Sequence, residues 1–174
     1  MDLLYTDILR LGTIFDRQQQ AEVLVNQWQQ ELAVIAKKVA GYPKQKVFLY
    51  DSGIDKPFTS GRFAMPQALI DNAGGINVAA DNQFSWSVTS WESVAVKNPD
   101  LIILVDYGTD GAMGAGQLQE VLAQHPLMSR TNALKNQKFL LLKYSEITPG
   151  PKNIEAIRKI AASLYPQAGI VIDA

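Results

Sequence analysis

The sequence predicts an α/β fold, a doubly wound and mainly parallel sheet in a three-layer αβα arrangement with a long N-terminal linking helix. Three observations carry this. The runs KVFLY (46–50), LIILV (101–105) and KFLLL (138–142) are nearly continuously apolar and bounded by turn signals, the pattern of parallel strands buried on both faces. Segments of helical period separate these runs, and strands alternating with helices build parallel sheets. Near the N-terminus, apolar residues step by three and four over a span as long as a small domain is wide. At 174 residues the chain has enough length for one full hydrophobic core.

Residues 6–11 read as a short helix stopped by Gly12. Asp16 and Gln19 then form a D-x-x-Q capping box opening a helix over 16–40. Its buried stripe is Ala21, Leu24, Val25, Trp28, Leu32, Ile35, Ala36 and Val39, and the GYP of 41–43 ends it. About 24 residues at ~1.5 Å each give roughly 36 Å. This divides the chain into a leading piece (1–12), a linking helix (13–41) and an α/β lobe (42–174).

Further helices are expected at 64–73, 90–97, 117–123 and 153–164, and GGINVA (74–79) supplies a glycine stop and a short strand. Thr89 and Glu92 make a T-x-x-E capping box for the second of these. The single histidine, His125, precedes a proline and is expected to close the helix before it, facing the last carbonyls.

Ligands of such sheets bind outside the carboxyl ends of the strands. That rule nominates the loops 51–63, 80–88, 106–116 and 143–152, which are long and carry Phe58, Arg62, Trp86, Tyr107 and Tyr144. The opposite connections, such as VKNPD and LKNQ, are short. Aromatic rings make rigid ligand platforms, and a guanidinium matches carboxylate or catecholate oxygens in two-pronged fashion.

Composition excludes several classes. The formal charge of −1 with no basic block gives no nucleic-acid footprint. Without cysteine there are no disulfides or thiolate sites, and one histidine makes a zinc site unpromising. No apolar run is long enough to span a membrane, and the acidic, charge-interrupted opening MDLLYTDILRLG does not read as a signal peptide. The glycine-rich GTDGAMGAG (108–116) lies between a strand and a helix but has neither G-x-G-x-x-G spacing nor a P-loop ending. No G-x-S-x-G occurs, and nothing in the sequence sets Asp106 and Glu146 as an acid/base pair. No catalytic residue and no metal ligand is therefore assigned. Two rivals remain open: a nucleotide- or flavin-dependent enzyme using the glycine-rich loop, and a cytoplasmic interaction module.

The segments DILRLGTIFDRQQQAEVLV, LIDNAGGINVAAD, WSVTSWESV, NPDLIILVDYG, TNALKNQKFLLL and PGPKNIEAIRKIAASLYP, taken in order, resemble the C-terminal lobe of helical-backbone periplasmic binding proteins of ABC importers. The resemblance implies a non-catalytic substrate-binding component for iron–siderophore, haem or cobalamin, with no cofactor beyond that metal-chelate ligand. It implies that an aromatic residue at Trp86 faces the ligand and that Glu92 docks on the permease subunits. It also implies that an N-terminal lobe and export signal are missing, that the whole protein is periplasmic or lipid-anchored outside the cell, and that the uncovered linking helix could support a dimer.

Overall fold

The computed structural model describes residues 1–108 and 113–172. Its centre is a four-stranded, all-parallel sheet formed by β1 (Lys46–Tyr50), β3 (Ile76–Asn77), β5 (Leu101–Asp106) and β6 (Phe139–Lys143), in the order β3-β1-β5-β6. Strand alternation divides the apolar runs between two cores. Val47, Leu49, Leu101, Ile103 and Val105 face a cluster built with α1 (Asp2–Ile14), α2 (Gln18–Val39), α3 (Met65–Asn72) and α8 (Asn153–Leu164). Phe48, Tyr50, Ile102 and Leu104 face the opposite cluster with α4 (Trp91–Lys97) and α5 (Ala115–Gln124). Helix–sheet–helix layering follows directly from residues apolar on both faces.

The N-terminal helices depart from expectation in two ways. Helix α1 runs through Gly12 to Ile14. A Cβ at Gly12 would lie 2.5 Å from the Cβ of Ala21, so this glycine permits close packing of α1 on α2 and does not stop a helix. Asp16 does not cap α2: it has φ +52° in the connecting turn, and Arg17 occupies the cap position without a side-chain bond. A residue in the left-handed region lacks the extended backbone that an N-cap needs. Helix α2 itself buries Ala21, Val25, Trp28, Leu32, Ile35 and Val39, the expected stripe without its edge members.

Two short strands form where loops were expected. β2 (Phe58–Ser60) pairs antiparallel with β4 (Trp86–Val88), and Thr59 fastens this ribbon to the main sheet by donating to the Leu49 carbonyl at 2.7 Å. Helix α4 is capped by Ser90, whose Oγ accepts from the Ser93 N–H at 3.1 Å. The T-x-x-E reading was thus one residue early, because Ser90 is the last extended residue before the helix.

His125 does close α5, but its Nδ1 accepts from the Leu127 N–H at 3.3 Å instead of turning to the helix carbonyls. Two further short helices, α6 (Asn132–Lys135) and α7 (Tyr144–Ile147), flank β6. Four residues of the glycine-rich loop, 109–112, lie outside the described residues. Among those described, no helix is long and apolar enough to cross a membrane.

Candidate functional site

Strand order places the topological switch between β1 and β5, because the chain leaves β1 toward β3 on one side and returns to β5 on the other. A crevice at the carboxyl ends of such neighbours is the usual ligand position in open α/β sheets. Asp51 follows β1 and Tyr107 follows β5, and the Tyr107 hydroxyl donates to Asp51 Oδ1 at 2.6 Å across the switch. Ser52 Oγ donates to Oδ2 of the same carboxylate at 2.9 Å. Asp51 is only 6% exposed. Burial, foremost, then the hydrogen bond and charge of Asp51 and the neighbouring Tyr144, push the Tyr107 hydroxyl well above the ordinary phenol range.

Tyr144 opens α7 immediately after β6, and its ring stacks on Tyr107 at 5.0 Å with planes 23° apart. Its position is set from below. Glu146, buried in α7, accepts from the Lys143 N–H at 2.8 Å and from Lys159 Nζ at 2.7 Å. Asn153 ties the same turn down by donating to the carbonyls of Glu146 and Thr148. Glu146 is therefore committed to holding α7. Asp106 accepts from the Gly108 N–H at 2.9 Å.

A second stacked pair sits on the small ribbon. Phe58 and Trp86 lie diagonally across β2 and β4, 5.9 Å apart with planes 18° from parallel. Backbone bonds join this pair to the switch point: the Asp51 N–H donates to the Phe58 carbonyl at 3.1 Å, and the Phe58 N–H to the Ser52 carbonyl at 2.8 Å. A continuous line of contacts thus runs Tyr144, Tyr107, Asp51, Phe58, Trp86.

Arg62 lies past the end of β2, its N–H donating to the Asn82 carbonyl at 3.0 Å. Among the described residues no contact brings its exposed guanidinium to the aromatic line. Gly61 makes the approach of the two chain segments possible, since a Cβ there would collide with the Phe84 carbonyl and lie 2.8 Å from that of Asn82. Phe63 follows Arg62 and its N–H donates to the Phe84 carbonyl at 3.5 Å; both phenylalanines are exposed.

Asp51 was missed from sequence. Asp51 could have been found as the first residue after the first strand, where the switch-point rule looks.

Glu92 occupies the first turn of α4 and is exposed, with no hydrogen-bond or ion-pair partner among the described residues. Its neighbour Trp91 points inward, donating Nε1–H to the Ile54 carbonyl at 2.9 Å and packing edge-on against Tyr50 at 5.2 Å.

A groove lies elsewhere, along α2, between Gln27, Glu31, Val34, Lys38, Arg158 and Val171. It holds no convergence of aromatic and polar groups. The site is assigned to the sheet edge because recognition chemistry gathers there. Among the described residues no cluster of three or more histidine or carboxylate side chains is placed to hold a metal. What the edge offers is two flat aromatic pairs, a phenolic oxygen and an open guanidinium, which suits non-covalent binding.

The family described as "Periplasmic binding protein" matches residues 1–145. The Vitamin B12-binding protein of Salmonella choleraesuis (strain SC-B67) is 36% identical over 87 residues, 50% of this chain and 31% of that protein. The "Uncharacterized ABC transporter substrate-binding lipoprotein YvrC" of Bacillus subtilis (strain 168) is 25% identical over 93% of this chain and 50% of its own length. A periplasmic binding protein from Veillonella parvula DSM 2008 superposes with a TM-score of 0.87 at 31% identity, covering 95% of this chain and 57% of that one. A periplasmic heme binding protein from Pseudomonas aeruginosa shares the fold, with a TM-score of 0.80 at 21% identity over 98% of this chain and 62% of that one. The chain spans half the length or less of the curated relatives it matches.

Proposed function

Because the chain belongs to the periplasmic binding protein family, a family of non-enzymatic binding proteins, we propose that it is the substrate-binding component of an ABC importer, contributing one lobe of the cleft. The cargo class is a metal chelate of the iron–siderophore, haem or cobalamin kind. One observation supports this reading above the others: two stacked aromatic pairs meet at the switch-point edge of the sheet, joined through Asp51. Phe58, Trp86, Tyr107 and Tyr144 line the ligand face, and Arg62 takes an anionic group at its far end. Residues beyond this chain supply a second lobe that covers the opposite face of the ligand, since half a cleft buries half a ligand. Glu92 meets arginines of the permease, and the working protein is periplasmic or held at the outer membrane face by lipid.

Tryptophan fluorescence tests the reading. The chain holds three tryptophans, of which Trp28 and Trp91 are buried in the two cores. Titration with haemin, cyanocobalamin or ferrioxamine B, corrected for ligand absorbance, should quench the signal with at least one of them. Trp86→Ala should remove most of that response. A signal indifferent to all three refutes the assignment.

A further inference from the structure

The direction of the hydrogen bond at the switch point carries a consequence for cargo selection, resting on the proposed ligand-binding role of this edge. A phenol has one proton to give and two lone pairs with which to accept. Tyr107 gives its proton to Asp51 Oδ1 at 2.6 Å, and an ionised carboxylate can only accept. The bond therefore cannot reverse while Asp51 is ionised. Tyr107 is 38% exposed and its ring rests on Tyr144, while its hydroxyl proton is already committed to Asp51.

The charge nearby points the same way. Among the described residues no cation pairs with Asp51, whose second oxygen is taken by Ser52. Asp106 stands opposite Lys143 in the strand register, and its carboxylate accepts from the Gly108 amide. Asp106 likewise has no ion pair among the described residues, but Asp51 is the carboxylate that is buried and bonded to Tyr107. An anionic cargo group placed on Tyr107 would meet a lone pair in place of a proton, with a buried negative charge behind it. A cargo group bearing N–H or O–H would meet an acceptor made stronger by that charge.

We propose that Asp51 is a positioning residue that fixes Tyr107 as a hydrogen-bond acceptor, so that this end of the site selects cargo presenting amide, ammonium or hydroxyl donors and rejects carboxylate or catecholate oxygens. Arg62, beyond the far end of β2, is the place left for any anionic group. The site is polarised along its length.

The test measures dissociation constants of the 174-residue chain for two donor-bearing probes, cyanocobalamin and ferrioxamine B, and two anionic ones, haemin and ferric enterobactin. Tyr107→Phe keeps the stacked ring and removes only the oxygen. It should weaken the donor-bearing probes about three- to tenfold, the worth of one hydrogen bond, and leave the anionic probes unchanged or tighter. Asp51→Ala releases the Tyr107 proton and should shift the ratio of anionic to donor-bearing affinity upward by about tenfold. Thermal unfolding checks that both variants fold, and Tyr107→Phe decides alone if Asp51→Ala does not. Equal or greater loss of the anionic probes in Tyr107→Phe overturns the inference while leaving the binding function standing, provided Trp86→Ala still weakens every probe that binds. Absence of binding by all four probes overturns the proposed function itself, and the inference with it.

Discussion

Gly12→Ala should destabilise the protein, although alanine is the better helix former. Helical propensity alone favours the change by ~1 kcal/mol. Against it stands the 2.5 Å separation that the new Cβ would have from Ala21 Cβ, with the Arg17 carbonyl oxygen at 3.2 Å. Ordinary carbon contacts sit near 3.5–4.0 Å, so α1 and α2 must part by roughly 1 Å. That movement loosens the contacts Leu4 and Tyr5 make in the core shared with Val25 and Trp28. Overpacking of this kind costs about 1–3 kcal/mol, which after the propensity gain leaves a net loss of up to about 2 kcal/mol. For a domain of this size each kcal/mol moves the midpoint by roughly 2–4 °C, so Tm should fall by up to about 8 °C. Gly116→Ala is the control: it lies in α5 with nothing among the described residues within 4 Å of its missing Cβ, and should leave stability unchanged or raise it by up to ~1 kcal/mol. Adding Ala21→Gly to Gly12→Ala should recover part of the loss, appearing in urea denaturation as a coupling of about 1 kcal/mol. If Gly12→Ala is more stable than the parent chain, rising as Gly116→Ala does, the close crossing of α1 on α2 is wrong.

Ser90 and Glu92 should separate cleanly, Ser90→Ala costing about 1 kcal/mol of unfolding free energy and Glu92→Gln almost nothing. In a transport assay with the complete importer, Glu92→Gln should lower uptake without changing ligand affinity, and unaltered uptake would remove Glu92 from the docking surface. Lys159 has a pKa raised by its bond to Glu146, then by Glu155, so the folded state holds its proton more tightly than the unfolded chain does. That stability is fully present below the unfolded value of 10.5 and is lost as pH rises through the higher folded value. Chemical denaturation at alkaline pH should show this decline, and Lys159→Met should flatten it.

The parts legible in the sequence are those whose signal is long or carried by buried residues. β1, β5 and β6 are apolar runs that could satisfy their surroundings only inside a two-faced sheet, and α8 repeats its buried positions over twelve residues. Features set by a single contact were not legible. Gly12 reads as a stop by composition, and only the proximity of Ala21, nine positions along and on another helix, reveals its role. The β2–β4 ribbon has three residues per strand, too few for alternation to register, and its partners are about thirty positions apart in the chain. The helix cap fell one residue away from its reading because Thr89 and Ser90 are chemically interchangeable there, and backbone conformation chooses between them. The aromatic candidates emerged from the switch-point rule. Asp51, which connects them, did not, since a carboxylate after a strand carries no marker of what it will face.

That connection bears on how the edge can bind. The backbone beneath each aromatic ring is held in place. Thr59 fixes the ribbon to β1, the bonds between residues 51–52 and Phe58 fix its register, and Glu146 with Asn153 holds the turn beneath Tyr144. Tyr107 is also held through its own hydroxyl by Asp51, and ordering a free side chain on binding costs about 0.5–1.5 kcal/mol, a cost this ring avoids. Among the described residues the Arg62 side chain has no such anchor. On the proposed binding role, affinity should reside in the aromatic line, and Arg62→Ala should change the rate of encounter with anionic cargo more than the affinity for neutral cargo.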